Sequence, residues 1–80
     1  MLEYKECKEI ADKRAKEYGA EIDAVYKIGN DFVFDNASGN WTGVFPFVVE
    51  SETGNICGIW NYLVKTDKTM DDMQEIANEV

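Results

Sequence analysis

Histidine is absent from this chain of 80 residues. That removes the commonest general base and the commonest metal ligand at neutral pH. Serine occurs only at Ser38 and Ser51, both in turn-like surroundings, with no GxSxG context and no base in view. Cys7 and Cys57 lie far apart and show neither a CxxC nor a metal-ligand spacing. Both thiols are expected to be reduced, one under a helix and one in a sheet. The 16 acidic residues offer many carboxylate pairs of the glycosidase kind, but none stands in a distinctive motif. Asp31, Asp35 and Asn36 beside a Gly-Asn turn carry oxygen ligands that would suit calcium, without the EF-hand spacing. No glycine-rich loop precedes a helix. The expectation is a non-enzymatic chain without cofactor or metal.

Recognition chemistry is better represented. Asn36, Ser38, Asn40 and Trp41 form a stretch of adaptable polar groups around a rigid aromatic. With Trp60 they are the candidate partner-binding residues. Asn36-Ala37-Ser38 and Asn40-Trp41-Thr42 also match the N-glycosylation pattern, read here as turn composition because the N-terminus lacks the apolar core of a signal peptide. The net charge of −8 opposes binding to nucleic-acid phosphates, which needs a basic surface. It suits a cationic protein such as a basic toxin or nuclease, drawn in by electrostatic steering, and it equally keeps a small protein soluble. Mimicry of DNA is disfavoured because the acids of the first helix alternate with lysines. No window approaches the roughly 20 apolar residues of a membrane span, so a cytoplasmic location without membrane contact is expected.

The elements that must position these groups follow from periodicity. Cys7, Ile10, Ala11, Ala15 and Tyr18 recur at helical spacing, which predicts a helix over Leu2–Tyr18 closed by Gly19. Ile22, Ala24, Tyr26 and Ile28 alternate with Asp23, Val25 and Lys27 and predict a strand with one apolar face. Gly29-Asn30 is a two-residue turn, and Asp31–Asp35 is the returning strand. The densest apolar run, Gly43–Leu63, reads as a hairpin turning at Glu50–Asn55, with Gly54 at positive φ and Pro46 at a bend. Its second strand is expected to hold Ile56, Ile59, Trp60, Tyr62 and Leu63. Thr69-Met70-Asp71-Asp72 resembles a helix start, with Met70, Met73, Ile76 and Val80 following at helical spacing. The expected architecture is a single α+β domain over residues 1–80. Its N-terminal helix packs on a four-stranded antiparallel meander in two layers, and a short helix ends the chain. The second sheet face would have less cover, leaving some of Trp41, Phe45, Phe47, Trp60 and Tyr62 exposed as an interface.

Pro46-Phe47-Val48-Val49-Glu50 followed by Thr53-Gly54-Asn55-Ile56 resembles the YrhB-like family of small bacterial immunity proteins. In that family an N-terminal helix precedes a sheet, and a proline-led strand runs into an acidic residue and a Gly turn. The resemblance covers roughly Leu2 to Ile59. An acidic-x-x-Thr-Gly hairpin is also similar to that of PepSY domains. The first family implies neutralisation of a toxin by direct binding, with no catalytic residues to carry over. The alternative is a self-associating structural or regulatory domain that buries an open sheet face in a homodimer.

Overall fold

The helical spacing at the start of the chain folds as α1, Tyr4–Glu17, in a computed structural model that describes residues 1–36 and 46–76. The Glu3 N–H donates to Glu6 Oε1 at 3.2 Å, supplying one of the bonds a helix start lacks. Gly19, at φ +69°, lets the chain turn back once α1 ends. Cys7, Ala11 and Ala15 form a buried stripe of small side chains, so the helix lies close on the sheet. Lys8 and Asp12, one turn apart on the outer side, pair at 2.9 Å. Such an exposed pair contributes a few tenths of a kcal/mol.

The sheet is α1's counterpart. β1 (Ala24–Ile28) and β2 (Asp31–Asp35) pair antiparallel from Ile28–Asp31 to Ala24–Asp35 around the Gly29-Asn30 turn, with Gly29 at φ +60°. β3 (Phe47–Val49) adds to β2, and β4 (Ile56–Gly58) adds to β3. The turn between β3 and β4 closes as its composition predicts. The Gly54 N–H donates to the Glu50 carbonyl at 2.7 Å, the Glu50 N–H to the Asn55 carbonyl at 2.9 Å, and Gly54 takes φ +78°. Pro46 stands just before β3, where no ladder N–H is required of it.

Two segments depart from their sequence reading. The strand expected to run from Ile56 to Leu63 stops at Gly58, and Ile59–Thr66 is a helix, α2. Ile59, Tyr62 and Leu63 fall at helical spacing and are buried against Ile28, Val33 and Val48. Tertiary packing of that stripe overrides the strand preference of its β-branched and aromatic residues. The helix expected after Thr69 is a single 3-10 turn, Met70–Asp72, followed by a fifth strand, β5 (Met73–Glu75). β5 pairs antiparallel with the free edge of β1, and the Ile76 N–H donates to the Val25 carbonyl at 2.9 Å. An open edge offers a row of unmade hydrogen bonds, and these outweigh a weak helical pattern. The result is an α+β fold with a five-stranded antiparallel sheet ordered β4-β3-β2-β1-β5.

Because α2 is a helix, the sheet is covered on both faces. Val25, Phe32, Phe34, Phe47 and Val49 point to α1, while Ile28, Val33, Val48 and half-buried Cys57 point to α2. The single apolar face read in β1 is therefore incomplete, since Val25 is as buried as Ile28. On the α1 side Tyr4 meets Phe32 edge-on at 5.2 Å, and Phe34 lies 6.1 Å from Phe47 between ring centroids. Each such ring pair is worth about 0.5–1.5 kcal/mol beyond the area it buries. Phe47 and Tyr62, expected among the residues of an open sheet face, are core residues, Phe47 beneath α1 and Tyr62 on the inner side of α2 itself. Trp41 and Phe45 lie outside the described residues.

Candidate functional site

α2 carries different chemistry on its two sides. It starts directly from β4, with Gly58 as its N-cap and the Ile59 N–H donating to the Pro46 carbonyl at 3.3 Å. Its eight residues run back about 12 Å across the sheet. Ile59, Tyr62 and Leu63 face the core. Trp60 and Val64, one turn apart on the outside, are 69% and 84% exposed. A large aromatic and a β-branched residue at this spacing form one apolar ridge in water. Trp60 lies near the helix start, at the end of the sheet where β2 runs into Asn36 and where β3 begins.

At the opposite end of the sheet, three elements meet on one carboxylate. Asp31 Oδ1 accepts from the Ser51 N–H at 2.8 Å and from Ser51 Oγ at 3.3 Å. Asp31 Oδ2 accepts from the Tyr62 hydroxyl at 2.6 Å, the short length of a charge-assisted bond. The start of β2, the β3–β4 turn and α2 are thereby tied together. Ser51 and Tyr62 are each 1% exposed, and Asp31 is half-buried. Burial raises the Tyr62 pKa, and the bond to Asp31 raises it further, so the phenol is held as a donor. Beside this network Lys65 pairs with Glu50 at 3.0 Å, and that hydrogen bond raises the Lys65 pKa. The network opens on a shallow cavity of about 330 Å³ rimmed by Asn30, Glu52 and Lys68.

Of the predicted binding residues, Trp60 is on the surface. Asn36 is half-buried, with its N–H on Asp35 Oδ1 at 2.8 Å, and it stands at the same end of the sheet as Trp60. Ser38, Asn40 and Trp41 lie outside the described residues. Ser51 does meet a carboxylate, but it is buried and shared with Tyr62, which makes it a structural donor. Asp31 and Asp35 sit on the same strand without converging. No group of three or more Cys, Asp or Glu side chains among the described residues is arranged to hold a metal ion. Cys7 lies on the inner side of α1 and Cys57 on the α2 side of the sheet. Burial raises both thiol pKa values, which lowers the thiolate fraction that nucleophilic chemistry needs. Val64 and the Asp31–Ser51–Tyr62 network were not singled out from sequence. The signal for both was the spacing Ile59, Tyr62, Leu63, Thr66, which fixes what faces inward and what faces out.

The fold and these two surfaces define a small acidic α+β domain with one exposed apolar helix ridge. No family model, curated protein or solved structure matches the chain. No helix among the described residues is long and apolar enough to cross a membrane.

Proposed function

We propose that this chain is a non-enzymatic binding protein that holds a basic protein partner against the outer face of α2, in the manner of an immunity or inhibitor protein. The observation that carries the reading is the Trp60–Val64 ridge, left in water by a helix whose other side is fully used. Tryptophan is the residue type that most often anchors an interface, and here it projects from a rigid element. The charge of −8 favours a cationic partner over a second copy, because two such chains repel each other. Twelve described acids are exposed, from Glu3 to Glu75, and two of the described carboxylates, Asp12 and Glu50, pair with Lys8 and Lys65.

The test is affinity capture with wild-type and Trp60→Ala baits at low and high salt, with the solution mass measured in parallel. Titration of the purified captured protein follows. The expected result is a monomeric bait and a basic protein bound one to one, with an on-rate that falls as salt rises. Trp60→Ala should weaken binding by about 2 kcal/mol or more, roughly thirtyfold. Its stability should stay within about 0.5 kcal/mol of wild type, because the side chain is exposed. A stable homodimer that binds no basic protein refutes the reading and assigns the ridge to a self-interface.

A further inference from the structure

α2 crosses its face of the sheet on a diagonal. It starts from Gly58 at the end of β4, the outer edge strand. Tyr62 already reaches Asp31 in β2. Lys68, just past the helix, lies across Gly29 in the β1–β2 turn. Strand register and alternation give the corner that this path leaves open. Asp35 of β2, Ala24 and Tyr26 of β1 and Glu75 of β5 stand on the α2 side, with Asp35 opposite Ala24 and Tyr26 opposite Glu75. Ala24, Tyr26 and Asp35 are half-buried, and Glu75 is exposed. Trp60 overlooks this corner. Lys65 turns to Glu50 at the β3–β4 turn, so Trp60, about 140° away around the helix, stands on the flank towards β1.

Space and charge together select an occupant. Where α2 starts, β1 lies three strands away, about 14 Å. Two packed helices need only about 8–10 Å between axes, so one more helix fits beside Trp60 at this end of the sheet. The charge of the chain is divided between its two sides. Residues 3–17 hold five acids and five cations, which cancel. The rest of the chain holds the other eleven acids and three cations, and so the whole of the −8. Of those three cations, Lys65 is on Glu50 and Lys68 lies across Gly29 at the far end of the sheet. Lys27, opposite Phe32, falls on the α1 side. The corner thus joins an apolar floor to Asp35 and Glu75, and none of these three cations stands on it.

We infer that this corner, floored by Ala24 and Tyr26 and walled by Trp60, seats an amphipathic helix of a basic protein. That helix lies alongside α2, with its apolar stripe on Tyr26 and Trp60 and its lysines or arginines towards Asp35 and Glu75. The inference rests on the binding reading and deepens it by naming the element that the partner presents. A second copy of this chain is a poor occupant. Its long helix, α1, has its apolar stripe buried on its own sheet and carries no net charge to match the corner.

The probe is a capped peptide of about 14 residues, leucine and lysine at helical spacing, titrated into the full chain and followed by amide and indole NMR. The same peptide with glutamate in place of lysine is the control. Saturable shifts centred on Ala24, Tyr26, Asp35, Glu75 and the Trp60 indole are expected with the first peptide and not with the second. Glu75→Gln should weaken binding roughly two- to fivefold, while Glu9→Gln, the same charge change on α1, should leave it unchanged. Tyr26→Thr, which keeps a strand-forming residue, should weaken it about fivefold or more. Shifts that centre on α1 or never saturate overturn the proposal, as does equal weakening by Glu9→Gln and Glu75→Gln. Shifts of the corner residues on raising the protein concentration alone assign the corner to a second copy and overturn it too. Capture of the natural partner separates the two readings. Loss on Trp60→Ala with full retention by Tyr26→Thr and Glu75→Gln refutes the corner and leaves the ridge standing, whereas loss on all three supports both.

Discussion

Replacing Tyr62 by Phe removes one hydroxyl and leaves the ring in place, so it isolates the bond that ties α2 to Asp31. Hydrogen bonds to charged groups contribute about 1.5–3 kcal/mol net. The 2.6 Å length argues for a strong bond, but Asp31 is half-buried and borders an open cavity, so water can partly replace the lost donor. The expected cost is therefore in the lower half of that range, about 1.5–2 kcal/mol. For a domain of this size that lowers Tm by about 10 °C. The pH dependence gives an independent signature. The folded state raises the Tyr62 pKa above its ordinary value of 10, through burial first and the Asp31 bond second. The stabilisation is then fully present below pH 10 and is lost as pH rises past it, because the unfolded chain ionises its phenol while the folded chain keeps the proton. Urea denaturation of wild type and Tyr62→Phe from pH 7 to 11 measures both effects. The wild type should lose stability more steeply above pH 10 than the variant. A variant within about 0.5 kcal/mol of wild type at pH 7, or one with the same alkaline slope, would show that the bond does not hold the helix.

Asp67 ends α2 at φ 59°, a left-handed conformation that costs a non-glycine residue about 1 kcal/mol. Asp67→Gly should stabilise the fold by about 0.5–1 kcal/mol in chemical denaturation. Gly54 is at φ +78°, and a Cβ there would lie 3.2 Å from Leu2 Cδ1 and 3.3 Å from Ile10 Cδ1. Gly54→Ala should cost about 1–3 kcal/mol by the same measurement, and a neutral result would mean that the turn is not pinned against α1. Burial raises the Asp35 pKa, partly offset by the Asn36 N–H. Ionised Asp35 therefore opposes folding, so stability falls as pH rises from the ordinary carboxylate value of 3.8 through the higher folded one. Asp35→Asn, which keeps an acceptor for Asn36, should raise Tm at pH 7 and leave it nearly unchanged at pH 3.

Some elements were legible before any coordinates because local chemistry and tertiary need agree there. The Gly29-Asn30 turn supplies positive φ between two strands that pair in the register it dictates. In α1 the small buried stripe and the charged outer face point to one period. Ile59–Leu63 reads as a strand because Ile, Trp and Tyr prefer strands, and the segment is too short for its helical spacing to dominate. The final strand was illegible for another reason: what makes Met73–Glu75 extended is the edge of β1, some fifty residues earlier in the chain. The candidate site divides the same way. Trp60 could be named from its residue type, but that it stands in water with Val64 while Tyr62 is fastened beneath depends on the second helix.

The junction between β4 and α2 has no slack. Gly58 is at once the last strand residue and the helix cap, and Ile59 is already helical. One residue inserted after Gly58 would rotate everything beyond it by about 100° around the helix axis. Tyr62 would swing away from Asp31, and the outward position of Trp60 would pass to another side chain. The helix therefore works like a key cut on two edges, whose inner and outer patterns are indexed to each other by the absence of a linker. Homologous chains should vary in the content of α2 far more readily than in the length of the joint that precedes it.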